Sequence, residues 1–257
     1  MQETLEIFDG HAHLNELEDL HAAIERARAA GVIGIVAVGM DMASNLRTLE
    51  IAGQYPGYVY PALGYHPWRI QESAIDENLA FLETHIDRCI AIGEVGLDYK
   101  MNVKKPLQQY VLREVARLAV RRDKPLILHS RLSHERVYSI VCDTGVRRAV
   151  FHWYSGPLDL LERITLEGYL VSATPAMEYS IAHQAAIHAA PLESILLETD
   201  CPVVFAGVPS EPRDVMTTLR EVARIKNLQT EVVARQTARN ALEFYDGLKQ
   251  PPDQALR

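Results

Sequence analysis

Cysteine is scarce in this sequence, positive charge is in deficit, and no apolar run is long. The three cysteines, Cys89, Cys142 and Cys201, are scattered, odd in number and lack the paired spacing of a metal finger. They are expected to be small buried thiols in a reducing compartment, which argues against a disulfide-stapled scaffold. No stretch approaches the roughly 18 consecutive apolar residues of a membrane span. The opening MQETLEIFDG also lacks the basic-then-apolar order of a secretory leader, so a cytoplasmic protein without membrane association is expected. Lys and Arg number 26 against 34 Asp and Glu, a formal net charge of -8. That balance argues against a protein that grips nucleic acid through a broad basic surface. It leaves room for a local phosphate site, because cations held by a carboxylate cluster reverse its field. Also missing is a G-x-G-x-x-G turn after the first apolar run, which weighs against a doubly wound dinucleotide-binding sheet.

What is present is an alternation. Apolar, β-rich runs occur at 5–8, 32–39, 58–64, 89–96, 125–129, 148–153, 168–173 and 194–198. Between them lie amphipathic stretches such as LEDLHAAIERARAA, ENLAFLETHIDR, PLQQYVLREVARLAVRRD and LDLLERITLEG, with apolar residues at helical spacing. Strands that are apolar throughout suit a parallel sheet covered by helices. Eight β-α units without a central linker most simply close into a single (β/α)8 barrel of the TIM type, an α/β fold. Residues 215–227 and 230–248 read as additional C-terminal helices. The barrel domain is expected over 1–250, with 251–257 a frayed tail.

Polar residues fall where the apolar runs end, and in such barrels that rim builds the active site. The first run leads into FDGHAHL, with Asp9, His11 and His13 at alternate positions. If the strand continued through them, all three would share one face. The third run ends in GYHP with His66. The fourth leads into Glu94 and Asp98, the fifth into His129 and Arg131, the sixth into His152, and the eighth into Glu198 and Asp200. A histidine or carboxylate in a strand costs several kcal/mol to bury without a partner. One alone could be a core residue bonded to backbone, but a set on five different strands points to a shared cation. Four histidines (His11, His13, His129, His152) with Glu94 and Asp200 are too many ligands for one four-coordinate catalytic metal. They suit two ions bridged by a carboxylate, an arrangement that favours hydrolysis, with Asp200 placed to orient water or accept its proton. His66, just before Pro67, is read as a substrate contact. His21, His85, His134, His183 and His188 are read as surface or helix residues.

These residues lie in motifs that resemble the TatD family of metal-dependent hydrolases, within the amidohydrolase-like barrels. The matching pieces are DGHAHL (9–14), GYHP (64–67), GEVGLDY (93–99), LHSR (128–131), FHWYSG (151–156) and ETDCP (198–202), with TARNALEFY (237–245) as a closing helix signature. The resemblance implies that His11, His13, Glu94 and Asp200 hold one ion and Glu94, His129 and His152 the other, with Glu94 as the bridge. Asp9 is expected beside them, ligating or orienting a histidine. The family implies Mg2+ or Mn2+ and deoxyribonuclease action from the 3′ end, with D-aminoacyl-tRNA deacylation among other roles; histidine-rich ligation also accepts Zn2+.

The chain departs from the family pattern around the rim. Leu132, Ser133 and His134 follow LHSR where an acidic residue and alanine are usual. Trp153 and Tyr154 follow His152, and Pro209 to Pro212 replace an Arg-Asn-x-Pro element. Arg131, Trp68, Trp153 and Tyr154 are the expected contacts to phosphate and bases. The expected partner is a nucleic-acid end or a small phosphoester or ester, with no obligate protein partner. A phosphodiesterase is the leading reading and an amide, ester or aminoacyl hydrolase the second. Many two-metal relatives of the second kind use a carboxylated lysine on strand four. Here that strand offers Glu94, and the nearest lysine is Lys100. A barrel without catalysis is the third reading, and it is opposed by the complete ligand set.

Overall fold

The computed structural model describes residues 5–245 and 247–248; the expected frayed tail at 251–257 lies outside them. The chain alternates β1 (Ile7–Ala12), α1 (Leu20–Ala29), β2 (Val32–Val38), α2 (Met42–Gln54), β3 (Val59–Leu63), α3 (Ile75–His85), β4 (Ala91–Asp98) and α4 (Lys105–Arg122). It continues through β5 (Leu126–Arg131), α5 (His134–Thr144), β6 (Ala149–Phe151), α6 (Leu158–Leu166), β7 (Leu170–Ala173), α7 (Ile181–Ala189) and β8 (Ile195–Leu197). These eight strands pair in parallel in sequence order. The first and last meet through backbone bonds just beyond the regular ladder, His13 N–H to Cys201 O at 2.8 Å and Asp200 N–H to His11 O at 2.9 Å. The result is the expected (β/α)8 barrel, followed by a short ribbon of β9 (Val204–Phe205) and β10 (Val208–Pro209) and by α8 (Val215–Lys226) and α9 (Thr230–Phe244).

Local chemistry sets the element ends. Asp41 and Ser44 form a reciprocal capping box that starts α2, and Asp19 accepts the Ala22 N–H at the start of α1. Gly145 stops α5 in the left-handed conformation. Two layers of core follow from strand alternation. One packs the outer strand faces against the helices. The other fills the barrel with Phe8, Val36, Tyr60, Ile127, Val150 and Leu196 and is closed below by Phe244, Tyr245 and Leu248. Tyr245 also donates its hydroxyl to Gly10 O at 2.9 Å, tying the C-terminal helix to the first strand. Apolar side chains thus plug the lower barrel, and polar ones are left for the C-terminal mouth. Among the described residues no helix is long and apolar enough to cross a membrane.

Candidate metal centre

Strand β1 does not stop at Phe8 but runs on through Asp9 and His11 to Ala12. Its pairing with β2 is irregular between Asp9 and Ala12, so strict alternation breaks there. The expectation that Asp9, His11 and His13 share a face is therefore corrected. His11 and His13 converge, their Nε2 atoms 3.3 Å apart. Asp9 instead accepts the Thr199 N–H at 2.9 Å and the Thr199 hydroxyl at 2.6 Å. A second irregularity, in the β4–β5 pairing between Ile92 and Val95, spans Glu94. The backbone packs tightly there: a Cβ on Gly64 would run into Glu94 N, and one on Gly96 into His129 O. Glycine at both positions lets the β3 and β5 ends close on the glutamate.

Glu94 is 2% exposed and stands at the centre of the cluster. Its Oε2 faces His11 Nε2 and His13 Nε2, each at 3.5 Å. Its Oε1 faces His129 Nδ1 at 2.7 Å, His152 Nε2 at 2.9 Å and His66 Nε2 at 3.4 Å. Asp200 joins the first side, its Oδ1 at 3.5 Å from His11 Nε2 and 3.4 Å from His13 Nε2. The donor atoms of His11, His13 and Asp200 lie within 4.8 Å of one another, as do those of His66, Glu94 and His129. Asp200 holds a left-handed backbone (φ 55), a conformation aspartate tolerates better than most residues.

A histidine can ligate a cation only through a nitrogen that keeps its lone pair, so the partner of the other nitrogen decides. His13 Nδ1 lies 3.0 Å from Val38 O, an acceptor, which leaves Nε2 with the lone pair on the cluster side. His152 Nδ1 lies 3.1 Å from Glu198 Oε1, with the same consequence. His129 Nε2 lies 3.3 Å from Asp98 Oδ2 and leaves Nδ1 toward Glu94. His11 Nδ1 is buried without a partner. Lone pairs facing one another and two carboxylates across a few ångströms are the donor set that a divalent cation fits. His66 differs. Its Nδ1 accepts the Trp68 N–H at 3.1 Å, so a neutral ring carries its proton on Nε2, toward Glu94. It sits with the cluster as a hydrogen-bond donor.

Electrostatics agree. Burial alone would raise the Glu94 carboxyl, but His152, His66, His11 and His129 outweigh it and hold it well below the usual carboxylate range. Asp200 is lowered against burial by His13, His152 and His11. Burial would lower His13, yet Asp200 and Glu94 raise it to about 10, and Glu94 and Glu198 raise His152. Imidazolium and divalent cation are interchangeable counter-charges here, so binding the metal releases protons. Burial pushes His66 down to about 4 and keeps it neutral.

Of the other expected contacts, Arg131 is exposed at the end of β5, and Trp153 is partly exposed. Trp153 has a left-handed backbone (φ 45), with its N–H 2.9 Å from Ser172 Oγ and 3.0 Å from Glu198 Oε1. Trp68 is 46% exposed. Tyr154 is not available for stacking: it is fully buried and donates its hydroxyl to Pro157 O. His183 lies on a helix as expected but not at the surface. It is buried, with Thr174 N–H donating to Nε2 and Tyr154 O 2.7 Å from Nδ1. Glu198 and Asp98 were visible at the strand ends without an assigned role. Each proves to be the carboxylate behind a cluster histidine.

Residues 8–246 match the family described as TatD related DNase. An uncharacterized metal-dependent hydrolase of Methanocaldococcus jannaschii is 30% identical over 245 residues, covering 92% of this chain and 96% of that protein. The 3′-5′ ssDNA/RNA exonuclease TatD of Yersinia pseudotuberculosis is 29% identical, covering 81% and 82%. The crystal structure of the TatD homolog YjjV from Escherichia coli superposes with a TM-score of 0.87 at 27% identity, covering 95% of this chain and 99% of that one. The barrel, its motifs and the match along nearly the whole chain lead to one conclusion: this chain belongs to the TatD family.

Proposed function

We propose that the chain is a two-metal phosphodiesterase that removes nucleotides from the 3′ ends of single-stranded DNA. The observation that carries this reading is the division of Glu94, one oxygen toward His11 and His13 and the other toward His129 and His152. His11, His13, Asp200 and Glu94 Oε2 would hold one ion, and Glu94 Oε1, His129 and His152 the other. The family points to Mg2+ or Mn2+, and the histidine-rich donor set also accepts Zn2+. Bound there, such ions supply a nucleophilic water near neutral pH and stabilise charge on the attacked and leaving oxygens.

The chain's own groups do the rest. Asp200 orients the water and accepts its proton. The His66 Nε2–H donates to a phosphoryl oxygen. Water oxygen bonds to phosphorus, the bond to the 3′ oxygen of the preceding nucleotide breaks, and that oxygen takes a proton, releasing a 5′-mononucleotide. Arg131 and Trp153 contact the substrate at the rim. The name of the Yersinia relative, an exonuclease on single strands, supports direction and substrate. Incubation with single-stranded DNA labelled at either end, with Mg2+ or Mn2+, tests the reading. Stepwise shortening of the 5′-labelled strand is expected. No shortening with either ion, beside hydrolysis of a D-aminoacyl ester, would replace it with the acyl-hydrolase reading.

A further inference from the structure

Cations are few and unevenly placed around the mouth. The segments between strand ends and following helices after β1, β2, β6 and β7 contain no lysine or arginine. After β8 there is Arg213, paired with Glu211. The β7 and β8 loops expose the large apolar side chains of Tyr179, Val204 and Val208, with Ile181 exposed at the start of α7. After β3 and β4, Arg69 faces Asp41 at 3.7 Å and Lys104 faces Glu72 at 3.1 Å. Lys100 and Arg131 remain, both exposed and without a side-chain partner among the described residues.

These two cations belong to one sector. Arg131 is the register partner of Asp98, and the Lys100 N–H donates to Asp98 Oδ1 at 2.8 Å. Asp98, fully buried, also accepts the Trp68 indole N–H at 2.7 Å. That bond fixes the indole, whose ring meets His66 edge-on at 4.8 Å and His129 at 5.9 Å. A locked, half-exposed aromatic face thus stands beside the cluster, with two unpaired cations on the adjoining strand ends. A strand leaving this sector meets no further free cation on the mouth loops.

We propose that Trp68, Lys100 and Arg131 form a one-nucleotide subsite, in which a base stacks on Trp68 and its flanking phosphates meet Lys100 and Arg131. Contacts to phosphate end there, so a trinucleotide, the shortest strand that places a base between two phosphates, is as good a substrate as a long strand. The proposal rests on the phosphodiesterase reading for its turnover but not for its binding. Two phosphate contacts predict a shallow salt dependence, log(kcat/KM) falling with log salt at a slope of about -1.4 for single strands.

Oligothymidylates of three, five and twenty nucleotides test it, by kcat/KM and by quenching of tryptophan fluorescence in the metal-depleted protein. Both readouts are expected to agree within about threefold across lengths. Trp68→Ala should weaken binding roughly ten- to a hundredfold at every length, chiefly in KM, while Trp68→Phe retains most of it. Arg131→Gln and Lys100→Gln should each flatten the salt slope by about 0.7. A kcat/KM or affinity that climbs steadily with length, a slope steeper than about -3, or quenching unchanged in Trp68→Phe overturns the subsite while leaving the nuclease reading intact. Length-independent quenching without hydrolysis overturns the nuclease reading and leaves the subsite standing.

Discussion

Glu198 and Asp200 are two residues apart, buried and acidic, yet they do different work. Asp200 faces His11 and His13, and Glu198 receives His152 Nδ1 and the Trp153 N–H. Sequence spacing marked both as acids at a strand end but held no signal to separate a ligand from the residue that orients one. Only the tautomer forced by each partner separates them. Glu198→Gln keeps the shape and removes the charge that fixes His152, so Mn2+ affinity measured by calorimetry should fall about 10- to 100-fold. Unchanged affinity would contradict that role. Asp200→Asn removes the proposed proton acceptor, and kcat should drop by about 10²-fold or more with the circular dichroism spectrum retained. Turnover within a few-fold of the parent would refute the assignment. His66 was read from sequence as a substrate contact, and its Nε2 proton supports that role by denying the cluster a lone pair.

At the scale of elements, the eight strands were legible because parallel strands buried on both faces are apolar from end to end. Their ends were less so. Strand β1 extends four residues past Phe8 because pairing with β2 overrides the weak β preference of Asp, Gly and His. His183 lies on a helix, one of the two places read for it, but its burial was not legible because a histidine in a helical stretch carries no mark of what packs over it. It joins α7 to the loop that follows His152 through Tyr154 O, and to the end of β7 through the Thr174 N–H. Burial lowers it to about 4 from an ordinary value of 6.5. Between those values the unfolded chain binds the extra proton, so stability from this group is complete above about pH 6.5 and declines as pH falls toward 4. The full loss is about 3 kcal/mol. Urea unfolding at pH 4 to 7 should show this slope in the parent and a shallower one in His183→Gln. Parallel curves for the two would count against it.

At the scale of the whole molecule, the net charge of -8 and the metal cluster are one design. The barrel floor is apolar, the mouth gathers carboxylates and imidazoles, and among the described residues free positive charge on the mouth loops is confined to Lys100 and Arg131. Under the proposed function, such a molecule would engage a phosphodiester through bound cations more than through its surface. The architecture and six converging residues were readable because ligands recur at strand ends in a fold whose strand ends meet. Which nitrogen of each ring faces the cluster was not readable, since it depends on Val38, Asp98 and Glu198, brought close by folding alone. The central claim is that Glu94 joins two cations into one hydrolytic centre. Adding Mn2+ stepwise to metal-depleted protein, while following mononucleotide release from single-stranded DNA, tests it most directly. The account predicts no release without metal and a rate that saturates at two ions per chain; saturation at one, or release that metal removal leaves unchanged, would contradict it.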